Sequence, residues 1–363
     1  MIAAILAGNA VIVKPSPQTP TTVEQFYSAF VEAGLPKGVF QYFHCGEFND
    51  LEKFVRNPLI NHISFTGSVA AGLRIKQAAA GRVVNVGLEL GGNDPAYVRE
   101  DADIPWVADE VTDGAVFNSG QSCCALERVY VHEKVHDIFV QEAQKVLSKY
   151  VLGDPADSKT QVGPVISARA RENILEVVKD ALEKGAQDVT PPNQTFDKLP
   201  PEGNFVKPTL LIGVTQDMKI MQEETFGPVI PVMKVKDDED AIQKMNDSDL
   251  GLTASVWTKD ITTAEEKLLP RIEAGTVFIN RSDYPSPVSP SLFVYVLNAA
   301  DTDLHFPGSG VDRTQRLWRR CHSEPLRLRS VHQAEELSCE RPSEKISQVS
   351  WLIWNQSDSI NVI

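Results

Sequence analysis

The sequence predicts an α/β fold in which parallel strands alternate with helices, and three observations carry that prediction. Short β-branched runs alternate with stretches of helical spacing through about residue 91. Glycine, serine and threonine turns follow the strand-like runs, and the intervals between runs suit βαβ units. From about residue 94 the same mixture continues with longer amphipathic helices. Together these argue for a parallel sheet covered on both faces.

Residues 10–13 read as a buried strand ending at Lys14. Thr19 then offers an N-cap, with Pro20 at the first helical position. Val23, Phe26, Tyr27, Phe30 and Val31 fall at helical spacing, and Gly34 closes the helix as a C′ residue. Strands are expected at 39–43 and 60–65, the second running into Thr66-Gly67-Ser68 and a small-residue helix through Ala80. A fourth strand, 83–90, ends in Gly91-Gly92. Residues 104–118 look helical and lead into Ser119-Gly120-Gln121-Ser122-Cys123. Helices are expected at 136–150 and 168–184, a proline-rich surface loop at 188–203, and strands at 209–212, 229–235, 254–257 and 276–280. Near residue 285 the character changes. Lysine is reduced to Lys345, while Arg313, Arg316, Arg319, Arg320, Arg327 and Arg329 cluster with Trp318, and periodicity is poor. An irregular tail is expected there.

A net charge of −14 argues against nucleic-acid binding, because affinity for the phosphate backbone comes largely from Lys and Arg. The five cysteines, Cys45, Cys123, Cys124, Cys321 and Cys339, are odd in number and form no CxxC pair. That pattern predicts neither a disulfide framework nor a structural metal site, and points to a reducing cytoplasm. The apolar opening, 1–13, lacks a basic stretch ahead of it, since Lys14 follows, so it does not read as a secretory signal. No window reaches the ~18 uncharged apolar residues of a membrane span.

Five stretches could carry chemistry, and each has a plainer reading. Cys123 sits in a glycine-containing turn after a helix, which suits an accessible thiolate nucleophile; a cysteine is more often an inert buried apolar group. Glu89 lies among apolar residues at a strand end before Gly91-Gly92, where desolvation would raise its pKa and suit it to general-base work. A strand-terminal Glu turned to solvent is the alternative. Gly67 and Ser68, with Gly72 beyond, stand at a helix N-terminus that could bind phosphate, or form an ordinary βα turn. Lys14 ends a strand, where open α/β sheets place ligands, or is simply solvated. Glu224 and Phe226, in the run Gln222 to Pro228, could hold a ribose and a flat ring, or form a surface turn.

Taken together, these stretches resemble the aldehyde dehydrogenase superfamily. Ala7-Gly8-Asn9-Ala10 running into Lys14-Pro15-Ser16, then Phe65-Thr66-Gly67-Ser68, Glu89-Leu90-Gly91-Gly92, Gly120-Gln121-Ser122-Cys123 and Glu224-Thr225-Phe226-Gly227-Pro228 follow that family's order. Glu89 and Cys123 stand 34 positions apart, the family's usual interval. The resemblance covers about residues 1–284. It implies a partial Rossmann-like dinucleotide-binding domain over 1–91, an α/β catalytic thiol domain over 92–284, and an unrelated tail over 285–363.

The resemblance implies oxidation of an aldehyde to a carboxylic acid, with Cys123 as nucleophile and hydride passing to NAD or NADP. Glu89 would activate the hydrolytic water, which places the chain in the branch that releases free acid. Lys14 would reach the adenosine ribose; Gly67, Ser68 and Gly72 the pyrophosphate; Glu224 and Phe226 the nicotinamide ribose and ring. NAD-preferring members often have an acid where this chain has Pro17, which leaves NADP open. The family carries further dinucleotide-binding elements ahead of the Ala-Gly-Asn turn, including an asparagine that completes the oxyanion hole, and a C-terminal strand used for oligomerisation. Neither has a counterpart in this chain, so the chain reads as truncated. The alternative is a non-catalytic fragment that serves at most as an interaction module.

Overall fold

In the computed structural model, which describes residues 1–46, 48–198, 203–282 and 360–362, the elements alternate as the spacing predicts. In chain order they begin α1 (Ile2–Leu6), β1 (Ala10–Val13), α2 (Thr21–Glu32), β2 (Phe40–Tyr42), α3 (Phe48–Val55), β3 (Ile60–Thr66), α4 (Val69–Ala79) and β4 (Asn85–Glu89). They continue with β5 (Asp94–Val98), α5 (Ile104–Val116), β6 (Leu126–His132), α6 (His136–Leu147), α7 (Ala168–Glu183), β7 (Gln187–Asp188), β8 (Thr209–Ile212) and α8 (Lys219–Gln222). Then come β9 (Val229–Val235), α9 (Asp238–Asn246), β10 (Thr253–Trp257), α10 (Ile261–Thr263), β11 (Thr276–Ile279) and β12 (Ile360–Val362).

These strands form two sheets. The first is parallel, in the order β2-β1-β12-β3-β4; the second runs β11-β10-β5-β6-β9-β8-β7, parallel except for β7 against β8. Helices cover both faces of the second sheet. Val107, Val111 and Ala115 of α5 and Phe139 and Leu147 of α6 pack on one face, against Val129, Val131 and Val232. Ile174 and Ala181 of α7 and Ile242 of α9 pack on the other, against Tyr97, Tyr130 and Val256.

Local signals explain some of the helix ends. After α2, Gly34 takes φ +81°. Its N–H donates to the Val31 carbonyl and that of Leu35 to Phe30, a paired closure that needs a left-handed residue at this position. The start of α2 differs from expectation by one step: Pro20 itself is the N-cap, with helical φ and ψ, and no side chain caps the helix. The strands β5 and β6 were not expected, because each carries charge (Asp94, Glu127, Arg128) inside its run. All of these are buried, and each has a partner far along the chain.

Coverage of the first sheet departs from the expectation of two covered faces. The cluster beside β1 and β2 has only Val11, Val23 and Phe40 fully buried, while Phe26, Tyr27 and Val31 on α2 are exposed, Phe26 by 45%. The helix spacing was right; the partner surface for that stripe is small. Of the expected irregular tail, 285–359 and 363 lie outside the described residues. Ile360–Val362 is described, and it pairs in parallel with both β1 and β3; among the described strands these two are joined through it. A proline at 361 removes a backbone donor from an interior strand. Asn361→Pro should therefore lower hydrogen-exchange protection in β1 and β3 by about tenfold or more, with β5 and β6 unchanged. Among the described residues no helix is long and apolar enough to cross a membrane.

Candidate functional site

The thiol turn begins where α5 stops. Phe117 is extended, and then Asn118, Ser119 and Gly120 take φ of 51°, 61° and 70° in succession. Left-handed backbone costs a non-glycine residue about 1 kcal/mol or more, so the turn needs support. Asn118 Nδ2 donates to the Gln121 carbonyl at 3.0 Å, and Gln121 Nε2 donates back to the Asn118 carbonyl at 3.0 Å. Gln121 Oε1 accepts from Ile166 N at 2.7 Å, and buried Ser119 donates from Oγ to the Gly163 carbonyl at 2.9 Å. Gly120 lies so close to the Gly227 carbonyl that a Cβ could not fit. The turn delivers Cys123 with its side chain exposed and Sγ 3.5 Å from Cys124 Sγ. Exposure is what a nucleophilic thiol requires.

Glu89 ends β4, where burial alternates between exposed and half-buried positions. Its carbonyl accepts from Gly67 N at 3.0 Å, which ties the Thr66-Gly67-Ser68 turn to this strand end. The side chain is exposed, contrary to the desolvation expected from its apolar neighbours. The reason is local: alternation sends Asn85, Gly87 and Glu89 to the less covered side of an edge strand. Two residues on, the chain is wedged. Gly91 packs directly on the Glu224 carboxylate, and Gly92 N donates to Glu224 Oε1 at 3.2 Å. A Cβ on Gly92 would fall 2.6 Å from the Cys123 carbonyl oxygen and 2.5 Å from Asp94 Oδ1. Asp94 cannot yield easily, since Thr253 holds it through both its hydroxyl and its backbone N–H. Gly92→Ala should accordingly destabilise the chain by about 1–3 kcal/mol, read as a lower urea midpoint at unchanged slope.

The third piece is the turn after α8. Phe226 has φ 50° and is 38% exposed, facing a cavity of about 390 Å³ that Glu224, Ala170 and Asn173 also line. Burial raises the pKa of Glu224 above the ordinary carboxylate value, with the Gly92 N–H acting against it. Behind the turn stands Glu127 of β6, whose two carboxylate oxygens accept from Thr225 N at 2.7 Å and Phe226 N at 2.8 Å. Burial pushes the Glu127 carboxyl well above its ordinary pKa; the two N–H donors oppose this, and nearby Glu224 and Asp94 add to it. Its neighbour Arg128, also buried, donates from Nε to the Asn93 carbonyl at 2.7 Å, next to Gly92. Neither residue belongs to the motifs recognisable in the sequence. The available signal was an acid and a base inside the run Leu-Glu-Arg-Val-Tyr-Val, which a buried strand tolerates only when both are bonded.

A second cavity, of about 640 Å³, lies at the C-terminal ends of β1 and β3. Lys14, Ser16, Pro17, Cys45, Thr66 and Ala71 line part of it. Its volume and position suit part of a dinucleotide. Lys14 Nζ donates to its neighbour's carbonyl, that of Pro15, at 2.7 Å. Ser68 caps α4, its Oγ accepting from Ala71 N at 3.3 Å. Gly72 is buried against Leu90, where a Cβ would come within 2.5 Å of that side chain. It therefore serves close helix–strand packing, which brings the helix start to the strand end. Cys123, Gly91-Gly92 beyond Glu89, and Glu224 come together in one place; Lys14, Thr66 and the start of α4 form the neighbouring cavity. Among the described residues no group of three metal-ligating side chains converges.

Comparison with known proteins agrees with this geometry. The profile of the Aldehyde dehydrogenase family matches residues 1–292. Lactaldehyde dehydrogenase of Escherichia coli is 39% identical over 285 residues, 78% of this chain and 58% of that protein. Its crystal structure superimposes with a TM-score of 0.73 at 38% identity, covering the same shares. An NADP-dependent glyceraldehyde-3-phosphate dehydrogenase from Bacillus halodurans, complexed with NADP, gives a TM-score of 0.72 at 36% identity over 78% of this chain and 57% of that one. An NAD-dependent aldehyde dehydrogenase from Sinorhizobium meliloti gives 0.71 at 32% identity, over 79% and 56%. The chain thus spans less than two thirds of the length of these relatives. Matched by the family profile over most of its length and similar in sequence and fold to these enzymes, the chain belongs to the aldehyde dehydrogenase family.

Proposed function

We propose that this site oxidises an aldehyde to a carboxylic acid, with NAD or NADP as cofactor. The observation that carries the reading is the wedge of Gly91-Gly92 between the Glu224 carboxylate and the Cys123 carbonyl, two residues beyond Glu89. The exposed Cys123 thiolate adds to the aldehyde carbon, forming a C–S bond and leaving the carbonyl oxygen negative. When bound, the dinucleotide supplies the hydride acceptor. Cys123 carries the carbon as a thiohemiacetal before oxidation and as a thioester after it. Glu89 takes a proton from the water that attacks the thioester carbon; the C–S bond breaks, and the acid leaves with the thiol restored. Lys14 would hold the adenosine ribose, Gly67, Ser68 and Gly72 the pyrophosphate and its helix, and Glu224 and Phe226 the nicotinamide ribose and ring. Pro17 lines the nucleotide cavity and brings no negative charge against a 2′-phosphate, which supports testing both cofactors.

The two sheets support two domains meeting near residue 91, and the thiol content supports a cytoplasmic setting. A second reading, a non-catalytic interaction module, is favoured by the exposed apolar stripe of Phe26, Tyr27 and Val31. One assay separates the two: absorbance of the reduced nicotinamide, followed with aliphatic and aromatic aldehydes and with NAD and NADP in turn. Turnover that depends on Cys123 supports oxidation. A rate no higher than that of a Cys123→Ala control leaves the interaction module.

A further inference from the structure

We infer that Glu127 is a positioning residue: a buried clamp that holds the Glu224–Gly227 turn against both the thiol turn and Gly91-Gly92. The inference rests partly on the proposed oxidation, because it gives Glu224 and Phe226 their use. Three observations carry it. Both Glu127 oxygens are taken by successive backbone donors, Thr225 N and Phe226 N, so the carboxylate binds the turn's backbone bidentately. Those donors sit at the point where Phe226 adopts φ 50°, a conformation that a phenylalanine holds only when its surroundings impose it. The turn so fixed touches both other pieces of the site. Glu224 packs on Gly91 and accepts from Gly92, while the Gly227 carbonyl abuts Gly120 in the thiol turn.

The position on β6 explains why the clamp is rigid. All seven residues of that strand are buried, and it pairs with β5 on one side and β9 on the other. Loosening the bidentate contact frees the turn from the sheet, and two observables follow. Dinucleotide affinity falls, because Glu224 and Phe226 lose their fixed placement. The reactivity of Cys123 changes, because Gly120 loses its backing; this second effect needs no cofactor.

The test is Glu127→Gln, which keeps the shape but turns one acceptor oxygen into an N–H donor facing a backbone N–H. Val131→Ala, on the same strand and buried away from the turn, serves as a control for general destabilisation. Dissociation constants for NAD and NADP are read by titration calorimetry, and iodoacetamide alkylation is timed at Cys123 by peptide mass spectrometry. The expected result is that Glu127→Gln weakens the dinucleotide about tenfold and shifts the alkylation rate by a similar factor, with the control within about twofold on both. If the unaltered chain binds neither dinucleotide yet the alkylation rate still shifts in Glu127→Gln alone, the clamp stands and the oxidative reading fails. Unchanged alkylation in Glu127→Gln, or an equal change in the control, overturns the clamp.

Discussion

Cys123→Ala should abolish aldehyde-dependent reduction of the nicotinamide while leaving the fold intact. The side chain is exposed, so its removal opens no core cavity, and the turn is held by Asn118, Ser119 and Gln121 rather than by the thiol. The expected loss is about 10⁴-fold or more, because removing the nucleophile of a covalent mechanism eliminates the step on which the others depend. Unchanged circular dichroism and thermal midpoint, together with a rate at background, complete the expected result. Cys124→Ala, one position away, should keep most of the activity. A chain that turns over equally well in both variants would not be using the thiol turn.

Glu89→Gln separates the two halves of the chemistry. Acylation does not need the base, whereas hydrolysis of the thioester does. The variant should therefore release about one equivalent of reduced cofactor per active site in a burst and then slow by about 10²–10⁴-fold, the usual size of a general-base contribution. Intact mass spectrometry during the stall should show the chain heavier by the acyl group, removable with hydroxylamine. Because Glu89 is exposed at the end of an edge strand, the substitution should leave stability nearly unchanged. A burst that vanishes together with the steady state would assign Glu89 to an earlier step.

The parts legible in the sequence were those written in short-range signals. Gly34 closes a helix through its own neighbours, Ser68 caps α4 three residues away, and the thiol turn announces itself by Ser119-Gly120 after a helical pattern. The parts that were not legible depend on partners far along the chain. Glu127 finds its donors 98 and 99 residues later, and Asp94 finds Thr253 after 159. Inside a strand such charges look like interruptions, so β5 and β6 escaped the pattern although they form the centre of the larger sheet. Glu89 shows the reverse failure. Its apolar neighbours suggested burial, but which side of a strand is covered depends on what packs there, and β4 is an edge. The role of Gly72 likewise emerges only when Leu90, just past the end of β4, is seen against it.

The claim on which the chemistry depends, that thiol and base face one cleft, can be measured without turnover. A chain carrying Glu89→Cys and Cys124→Ser is treated with dibromobimane, a short reagent that fluoresces when it bridges two nearby thiols. Convergence of β4 and the thiol turn predicts a bridge between positions 89 and 123, formed in the folded chain and suppressed in denaturant. Separate alkylation of the two positions, with no bridged peptide from the folded chain, would place them in different surroundings and contradict it.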